Sequence, residues 1–296
     1  MNKLLEKCRM CPHKCGVNRN IVQGRCKSKE LPKLAKADLF FFEEPCISGK
    51  DGSGAVFFSN CNLKCVFCQN SKISQDGFGK EITIEELADV FLRLQDRGAN
   101  NINLVTPTTY VYQIIEALKI AKKKGLNIPI VYNSNGYENV ETLKMLEGYV
   151  DIYIPDFKYA VDDIALKYSK IPNYRETTIN AINEMLRQKP KCILDDNGIM
   201  TEGVIIRHLI LPNNIINTKL VLKYIDKHYK NAYFSLMAQY FPTHLAKEME
   251  DINRKLTKQE YKSVIDYFYT LDIQNGYVQE LGDHEEEYVP DFDLKF

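Results

Sequence analysis

The sequence has no excess of charge of either sign. Its 296 residues include 39 Lys and Arg against 39 Asp and Glu, so the formal net charge is zero. A protein that holds nucleic acid or an anionic membrane through electrostatics usually carries a basic surplus. We therefore expect no nucleic-acid partner and no membrane partner.

Long apolar runs are missing as well. No segment approaches the ~20 apolar residues that a membrane-spanning helix needs. The first eight residues, MNKLLEKC, lack the apolar core of a secretory signal. Nine cysteines in a chain without an export signal indicate a reducing compartment, where cysteines bind metal rather than form disulfides. These features predict a cytoplasmic protein.

Three of the cysteines, Cys61, Cys65 and Cys68, have the spacing C-x3-C-x2-C. Thiolates are the usual ligands of iron–sulfur clusters. A cubane [4Fe–4S] cluster with only three of them keeps one iron free to bind a substrate. The alternatives are a structural zinc knuckle and plain core cysteines, but structural zinc takes four protein ligands and no histidine lies nearby. The spacing therefore favours a [4Fe–4S] cluster.

Four further cysteines near the amino terminus, here called the quartet, are Cys8, Cys11, Cys15 and Cys26. Their spacing, C-x2-C-x3-C-x10-C, supplies the four ligands of a closed site. Such a site holds either structural zinc or an auxiliary iron–sulfur cluster. The pattern predicts a second metal site and leaves both metals open.

From residue 55 onward, short apolar runs alternate with segments of helical period. Capping boxes begin two of the helices, Thr83 with Glu86 and Thr257 with Glu260. Strands alternating with helices predict a parallel sheet. The predicted strands are residues 55–61, 101–107, 128–135, 151–157, 204–212 and 233–240.

Polar residues follow the carboxyl ends of the first four predicted strands. They include Cys61, Thr106, Ser134 and Asp156. The carboxyl ends of parallel strands meet at one edge, so these residues are expected to form one site. That edge can be the mouth of a barrel or the rim of an open sheet.

Together, the cysteine motif with Gln69 and Asn70 after it, the stretch EEP at residues 43–45 and the later strand-end motifs resemble the radical S-adenosylmethionine (SAM) superfamily. Within it, the chain is similar to relatives of pyruvate formate-lyase activating enzyme, in a branch with an extra amino-terminal cysteine cluster. The resemblance implies an α/β fold, a partial (β/α)6 TIM-like barrel. It also implies two parts: a small Cys-rich metal-binding segment at residues 1–50, and a partial barrel with a carboxyl-terminal extension at residues 51–296.

The resemblance also implies SAM contacts. Thr106 and Thr108 stand where the family has a Gly-Gly-Glu turn at the SAM amino group. Ser134 and Asn135, with Gly136, are similar to the family's Thr-Asn-Gly turn at the ribose. Ordinary strand-end turns would use the same residue types.

A charged set completes the implied SAM site. Asp156 and Lys158 share one face of a strand and match the family's Asp-x-Lys pair near the methionine end of SAM. An internal salt bridge is the alternative. Arg207 lies in an apolar strand and needs an anionic partner, for which the SAM carboxylate is available.

The resemblance implies a radical SAM enzyme. Reductive cleavage of SAM at the [4Fe–4S] cluster would give methionine and a 5′-deoxyadenosyl radical, which abstracts hydrogen from a protein or peptide substrate such as a glycyl-radical enzyme. We assign no catalytic side chain beyond the cluster ligands. A flavodoxin- or ferredoxin-type protein would donate the electron. Modification of a small molecule is a second interpretation, and a non-catalytic iron–sulfur electron carrier is a third.

Overall fold

The structure is a computed structural model that describes residues 3–282 and 290–296. Over these residues, the strands are β1 (Lys33–Phe40), β2 (Ser53–Phe58), β3 (Lys80–Glu81), β4 (Ile102–Val105), β5 (Ile130–Ser134), β6 (Ile152–Pro155), β7 (Ile193–Leu194), β8 (Met200–Leu209), β9 (Tyr233–Met237) and β10 (Gly276–Val278). The helices are α1 (Lys3–Glu6), α2 (Pro45–Ser48), α3 (Ser71–Ser74), α4 (Ile84–Asp96), α5 (Val111–Lys123), α6 (Val140–Lys144), α7 (Asp162–Ser169), α8 (Tyr174–Gln188), α9 (Ile215–His228) and α10 (Lys258–Phe268).

Parallel pairing builds the middle of the sheet. Strands β2, β4, β5, β6, β8 and β9 follow one another in parallel, and each matches a predicted strand. β10 extends the sheet in parallel beside β9, while β1 pairs antiparallel with β2 and β3 with β1. Within the described residues the sheet runs from β10 to β3 without closing. The predicted partial α/β barrel is confirmed.

The predicted capping boxes begin α4 and α10. Thr83 accepts a hydrogen bond from the backbone of Glu86, whose carboxylate accepts one from the backbone of Thr83. Thr257 and Glu260 repeat the arrangement. These reciprocal bonds satisfy backbone donors that a helix start leaves free, so the local sequence determines where both helices begin.

Helix α2 fills the amino-terminal end of the barrel interior. Cys46 and Ile47 are buried in one cluster with Val131, Ile154 and Ile205. Alternate strand residues share a face. Two positions further along the same strands, the interior face therefore carries Asn133, Asp156 and Arg207. The apolar floor thus lies below a polar layer that faces the carboxyl ends of the strands.

The amino-terminal part of the chain joins this sheet through β1. Asp38 is opposite Ala55 of β2, and Phe40 is opposite Ser53. Sequence analysis did not predict this strand, which lies inside the segment assigned to residues 1–50. The division after residue 50 remains a prediction. None of the described helices is long and apolar enough to cross a membrane.

Candidate active site

The cysteine loop, residues 59–70, follows β2 directly. Asn60 adopts a left-handed backbone conformation with φ of 72°, which asparagine tolerates better than most residues. Its side-chain amide donates to the hydroxyl of Tyr110 over 2.9 Å. This bond ties the start of the loop to the segment after β4 and places Cys61 at the carboxyl edge of the sheet.

Each sulfur of the cysteine loop has a polar neighbour. Cys61 Sγ accepts from the amide of Asn135 over 3.4 Å. Cys65 Sγ lies 3.0 Å from the hydroxyl of Ser169, and Cys68 Sγ lies 3.2 Å from that of Ser74. Burial raises the pKa of the Cys61 thiol to about 12 and that of Cys65 to about 11. Metal binding must therefore displace protons from these thiols.

The donor set of the cysteine loop fits an iron–sulfur cluster. None of the described cysteines forms a disulfide. Across the described part of the chain, no three Cys, His, Asp or Glu side chains converge as ligands of a single metal ion do. A cubane cluster does not require such convergence, since each thiolate binds a separate iron. Cys61, Cys65 and Cys68 would hold such a cluster.

The SAM turn, residues 106–109, follows β4. Thr106 has a φ of 61°, a conformation that is unfavourable for a β-branched residue and that glycine adopts readily. Thr106 thus keeps a glycine-like backbone at the place of the family's glycine turn. The hydroxyl of Thr108 is buried and donates to Glu138 over 2.6 Å. Its predicted contact with SAM remains a prediction.

The turn after β5 lies against the cysteine loop. Asn135 donates to the side-chain oxygen of Asn62 over 2.8 Å as well as to Cys61. Ser134 Oγ accepts from the backbone of Gly136 over 3.3 Å. Gly136 has a φ of 76°, and a Cβ there would lie 2.1 Å from the carbonyl oxygen of Asp156. Only glycine fits this crossing, so Ser134 and Asn135 are held rigidly beside the cysteines.

A buried charge network occupies the polar layer of the interior. Asp156 accepts from Lys158 over 2.6 Å and from Arg207 Nε over 3.1 Å. Burial opposes ionisation of Asp156, but Lys158 and Arg207 hold the pKa of its carboxyl below the usual value. Burial likewise opposes the charge on Lys158, while Asp156 and the nearby Cys65 keep the pKa of its ammonium raised. Lys158 thus presents a positive charge near a predicted cluster ligand.

Arg207 has protein partners at all three guanidinium nitrogens. Besides Asp156, it donates to Glu43 Oε2 over 3.1 Å and to Asn133 Oδ1 over 2.6 Å. Glu43, which lies in the segment before α2, is therefore an anionic partner of Arg207 that sequence analysis did not name. The internal salt bridge of Asp156 and Lys158, considered above as the alternative to a SAM contact, is present. The SAM contacts of Asp156, Lys158 and Arg207 remain predictions.

Sequence analysis missed Glu43 and Glu138 as members of this site. Glu43 is 164 positions from Arg207 in the chain, so local pattern gave no sign of the pair. Glu138 bonds both Thr108 and Tyr132 from a fully enclosed position. Burial raises the pKa of each carboxyl to about 7. The available signals were the position of Glu43 within the EEP stretch at residues 43–45 and that of Glu138 two residues after Gly136.

The quartet lies at the same edge of the sheet. Cys8, Cys11, Cys15 and Cys26 line one cavity together with His13 and Arg19. His13 bonds the carbonyl oxygen of Asn62 over 2.8 Å, so the cavity is adjacent to the cysteine loop. The structure therefore brings together both predicted cysteine sets and the predicted SAM contacts.

Comparison with known proteins assigns the class. A sequence model of the radical SAM superfamily matches residues 55–204. The chain belongs to the radical SAM superfamily, whose members use a [4Fe–4S] cluster and SAM, and the predicted enzyme class is confirmed. An uncharacterised protein of Methanocaldococcus jannaschii is 36% identical over 282 residues, which are 91% of this chain and 77% of that protein.

Two further similar proteins match this chain over a smaller share of their own length. Pyruvate formate-lyase-activating enzyme of Clostridium pasteurianum is 31% identical over 121 residues, 38% of this chain and 50% of that enzyme. A crystal structure of Streptococcus suis SuiB bound to precursor peptide SuiA has a TM-score of 0.49 and 13% identity, covering 74% of this chain and 46% of that chain. The chain thus spans about half the length of each of these two proteins.

Proposed function

We propose that this enzyme abstracts a hydrogen atom from a protein or peptide substrate, as an activating enzyme for a glycyl-radical partner does. When bound, the cluster and SAM supply the chemistry: one electron from a flavodoxin- or ferredoxin-type donor cleaves SAM to methionine and a 5′-deoxyadenosyl radical, which becomes 5′-deoxyadenosine by taking the substrate hydrogen. The observation that carries the proposal is the three-thiolate loop beside polar strand ends.

The residues of the chain have separate tasks in this proposal. Cys61, Cys65 and Cys68 hold the cluster and leave one iron for SAM. Asn135 orients the first of these thiolates through its 3.4 Å hydrogen bond. Lys158 balances negative charge near Cys65, in an interior where the effective dielectric constant is low and charge is expensive to isolate.

The SAM contacts extend along the same edge. The backbone of the SAM turn offers carbonyl oxygens to an ammonium group, and Thr106 holds the turn in its glycine-like shape. Ser134 stands at the next strand end for the ribose hydroxyls. Asp156 and Arg207, fixed to each other over 3.1 Å, form the floor of the SAM site.

Two observations support a macromolecular substrate. The relative from Clostridium pasteurianum is named for activation of pyruvate formate-lyase, which is itself a protein. The sheet is open between β10 and β3 in the described residues, and we propose that a backbone loop of the substrate enters at this open side. A glycyl-radical enzyme presenting such a loop is the partner we propose.

Modification of a small molecule is the second candidate. The observation in its favour is the position of the cysteine-rich segment, residues 8–28, at the carboxyl edge of the sheet. Its residue His13 contacts the cysteine loop, and the backbone carbonyl oxygen of Arg9 accepts a hydrogen bond from the side-chain amide of Asn139 over 2.8 Å. A segment at the carboxyl edge of the sheet narrows the mouth of the barrel, and a narrow mouth suits a small substrate.

The first test is SAM cleavage. Protein reconstituted with iron and sulfide without oxygen should form 5′-deoxyadenosine from SAM under a strong one-electron reductant, as measured by chromatography. The Cys61→Ala, Cys65→Ala, Cys68→Ala triple variant should form none, whereas the control Cys192→Ser, which lies outside both cysteine sets, should behave as the parent. Robust cleavage by the triple variant would refute the cluster assignment.

The second test separates the two substrate classes. The protein is mixed with SAM, reductant and the proteins encoded beside it, and electron paramagnetic resonance is recorded for a glycyl radical. A glycyl radical supports activation. Deuterium transfer into 5′-deoxyadenosine from a labelled metabolite, with none from any protein, would show that the small-molecule candidate is right.

A further inference from the structure

The quartet is assembled by the backbone of the cysteine-rich segment. The amide of Cys8 donates to the carbonyl of Val17, and that of Gly16 donates to the carbonyl of Cys8, each over 2.9 Å. A Cβ at Gly24 would lie 3.5 Å from Cys15 Sγ and 3.6 Å from Cys26 Sγ. The sulfurs of Cys15 and Cys26 therefore lie on the same side of Gly24, and all four thiols line the same cavity.

A buried cation next to the quartet indicates negative charge in that cavity. Arg19 lines it with only 1% of its surface exposed. Its guanidinium donates to the carbonyl oxygens of Lys29 and Thr109 and lies 5.5 Å from the ring centroid of Tyr110. Among the described residues, no carboxylate forms a salt bridge with Arg19. A buried charge without a counter-ion is costly, and a metal centre ligated by four thiolates carries net negative charge.

The same segment holds the SAM turn. Arg19 Nη1 donates to the carbonyl oxygen of Thr109, and Ser28 Oγ donates to the hydroxyl of Thr109 over 3.1 Å. Both Ser28 and Thr109 are almost fully buried, so these bonds are shielded from water. Arg19 and Ser28 of the cysteine-rich segment thus both form hydrogen bonds with Thr109, the last residue of the SAM turn.

The segment reaches neighbouring loops as well. His13 bonds the backbone of Asn62, next to Cys61, over 2.8 Å, and its ring lies 5.6 Å from that of Tyr137. Arg25 donates to the carbonyl of Lys170 over 3.1 Å. The cysteine-rich segment therefore contacts the cysteine loop and the loops at Tyr137 and Lys170 directly.

We propose that Cys8, Cys11, Cys15 and Cys26 hold a closed four-thiolate metal centre, and that this centre positions the SAM turn through Arg19 and Ser28. The coupling rests on the proposed function, because it acts on SAM binding; the metal centre itself does not. A zinc ion and an iron–sulfur cluster both take four thiolates with net negative charge. The four thiols line one cavity without converging as the ligands of one ion do, so a cluster, whose thiolates bind separate irons, fits them as they stand, whereas a zinc ion requires them to move closer together. Ligation fixes the segment, and the fixed segment fixes Thr109.

The metal centre is tested in the Cys61→Ala, Cys65→Ala, Cys68→Ala variant, which lacks the other cluster. Purified anaerobically without added zinc, this variant should retain metal. Iron with acid-labile sulfide identifies a cluster, and zinc identifies a single ion; either supports the proposal. Adding Cys8→Ser and Cys11→Ser to the triple variant should remove this metal, which would show that the quartet binds it. A triple variant without metal would overturn the site.

The coupling is tested by SAM affinity in chains that keep the cysteine loop. Cys8→Ser with Cys11→Ser should weaken SAM binding roughly tenfold or more, and Ser28→Ala, which touches no metal ligand, roughly two- to tenfold for one lost hydrogen bond. Ser263→Ala, whose hydroxyl accepts from Lys219 on the outer helices, is the matched control and should leave the affinity unchanged. Circular dichroism confirms folding of each variant.

The outcomes separate the two proposals. Unchanged SAM affinity in Ser28→Ala and in the cysteine double variant would overturn the coupling. If the parent protein binds no SAM at all, the proposed function and the coupling fail together, while metal retained by the triple variant still establishes the four-thiolate centre.

Discussion

The side-chain amide of Asn135 donates to Sγ of Cys61 over 3.4 Å and to the side-chain oxygen of Asn62 over 2.8 Å. One residue at the end of β5 thereby fixes the first cysteine of a loop that follows β2. Hydrogen bonds to ligand sulfurs are among the factors that set the reduction potential of an iron–sulfur cluster. Asn135, for which a SAM contact is predicted, is therefore also placed to tune a cluster bound through Cys61.

Asn135→Ala should lower the reduction potential of the cluster, because the lost donor no longer stabilises the more negative, reduced form. The measurement is a redox titration followed by electron paramagnetic resonance, on the signal that changes when SAM is added. Asn183→Ala, which removes an amide bonded to Tyr229 over 3.1 Å far from the site, serves as control. Equal potentials in parent and Asn135→Ala would contradict the expectation.

Gly136→Ala should destabilise the protein more than Gly148→Ala. Both glycines have a left-handed backbone, with φ of 76° and 81°, but only at Gly136 would a Cβ meet another atom, the carbonyl oxygen of Asp156 at 2.1 Å. Conformational strain alone costs about 1–2 kcal/mol, and overpacking adds roughly 1–3 kcal/mol. Urea unfolding gives both free energies. An equal loss of free energy of unfolding in the two variants would show that the turn at Gly136 accommodates the added Cβ without extra strain.

Arg207→Ala should lower the free energy of unfolding by about 3–5 kcal/mol, since it leaves the buried carboxylate of Glu43 without its cation and Asp156 with Lys158 alone. Adding Glu43→Gln should recover much of that loss. If Arg207→Ala alone proves as stable as the parent, the network contributes little. SAM affinity of the folded variant is measured separately, and we expect it to fall while cysteine-bound iron stays near normal.

Glu138→Gln should change the pH dependence of stability. Burial raises the pKa of the Glu138 carboxyl from 4.5 to about 7. The folded state thus holds the proton more tightly, and this contribution is complete below pH 4.5 and lost as the pH rises through about 7. A carboxamide does not titrate, so the variant should lack a decline of about 3 kcal/mol between these limits.

Urea unfolding at pH 5 and pH 8 measures that decline. The pKa of Glu43 is also raised to about 7 by burial, but Glu43 is present in both proteins and its effect cancels in the comparison. Glu141→Gln, at a largely exposed position on α6, is the matched control. Parallel pH curves for the parent and Glu138→Gln would contradict the assignment.

Local pattern was sufficient for much of the fold. The six parallel strands were predicted from the period of hydrophobic residues, which a single sequence displays. The capping boxes at Thr83 and Thr257 were predicted from pairs of residues three positions apart, which a single sequence displays equally well. β1 was missed because its sequence, KLAKADLF, alternates weakly. Its strand character comes from pairing with β2, a tertiary contact that sequence pattern does not reveal.

Those site residues that belong to recognisable sequence motifs could be predicted. The cysteine loop and the strand-end turns do meet at one edge, because parallel strands force their carboxyl ends together. Glu43 could not be assigned to Arg207, since the pair depends on how α2 enters the barrel. The need of Arg207 for an anion was predicted correctly, and Glu43 supplies one that local pattern did not indicate.

The contacts of the cysteine-rich segment also bear on the order of assembly. They join His13 to Asn62, Arg9 to Asn139 and Arg25 to Lys170, across 49, 130 and 145 positions of the chain. Contacts of such long range form late in folding, because loop closure must precede them. The cysteine-rich segment should therefore be among the last parts of the described chain to dock. Iron can reach the cysteine loop before that docking, and the segment then closes over a cluster already in place.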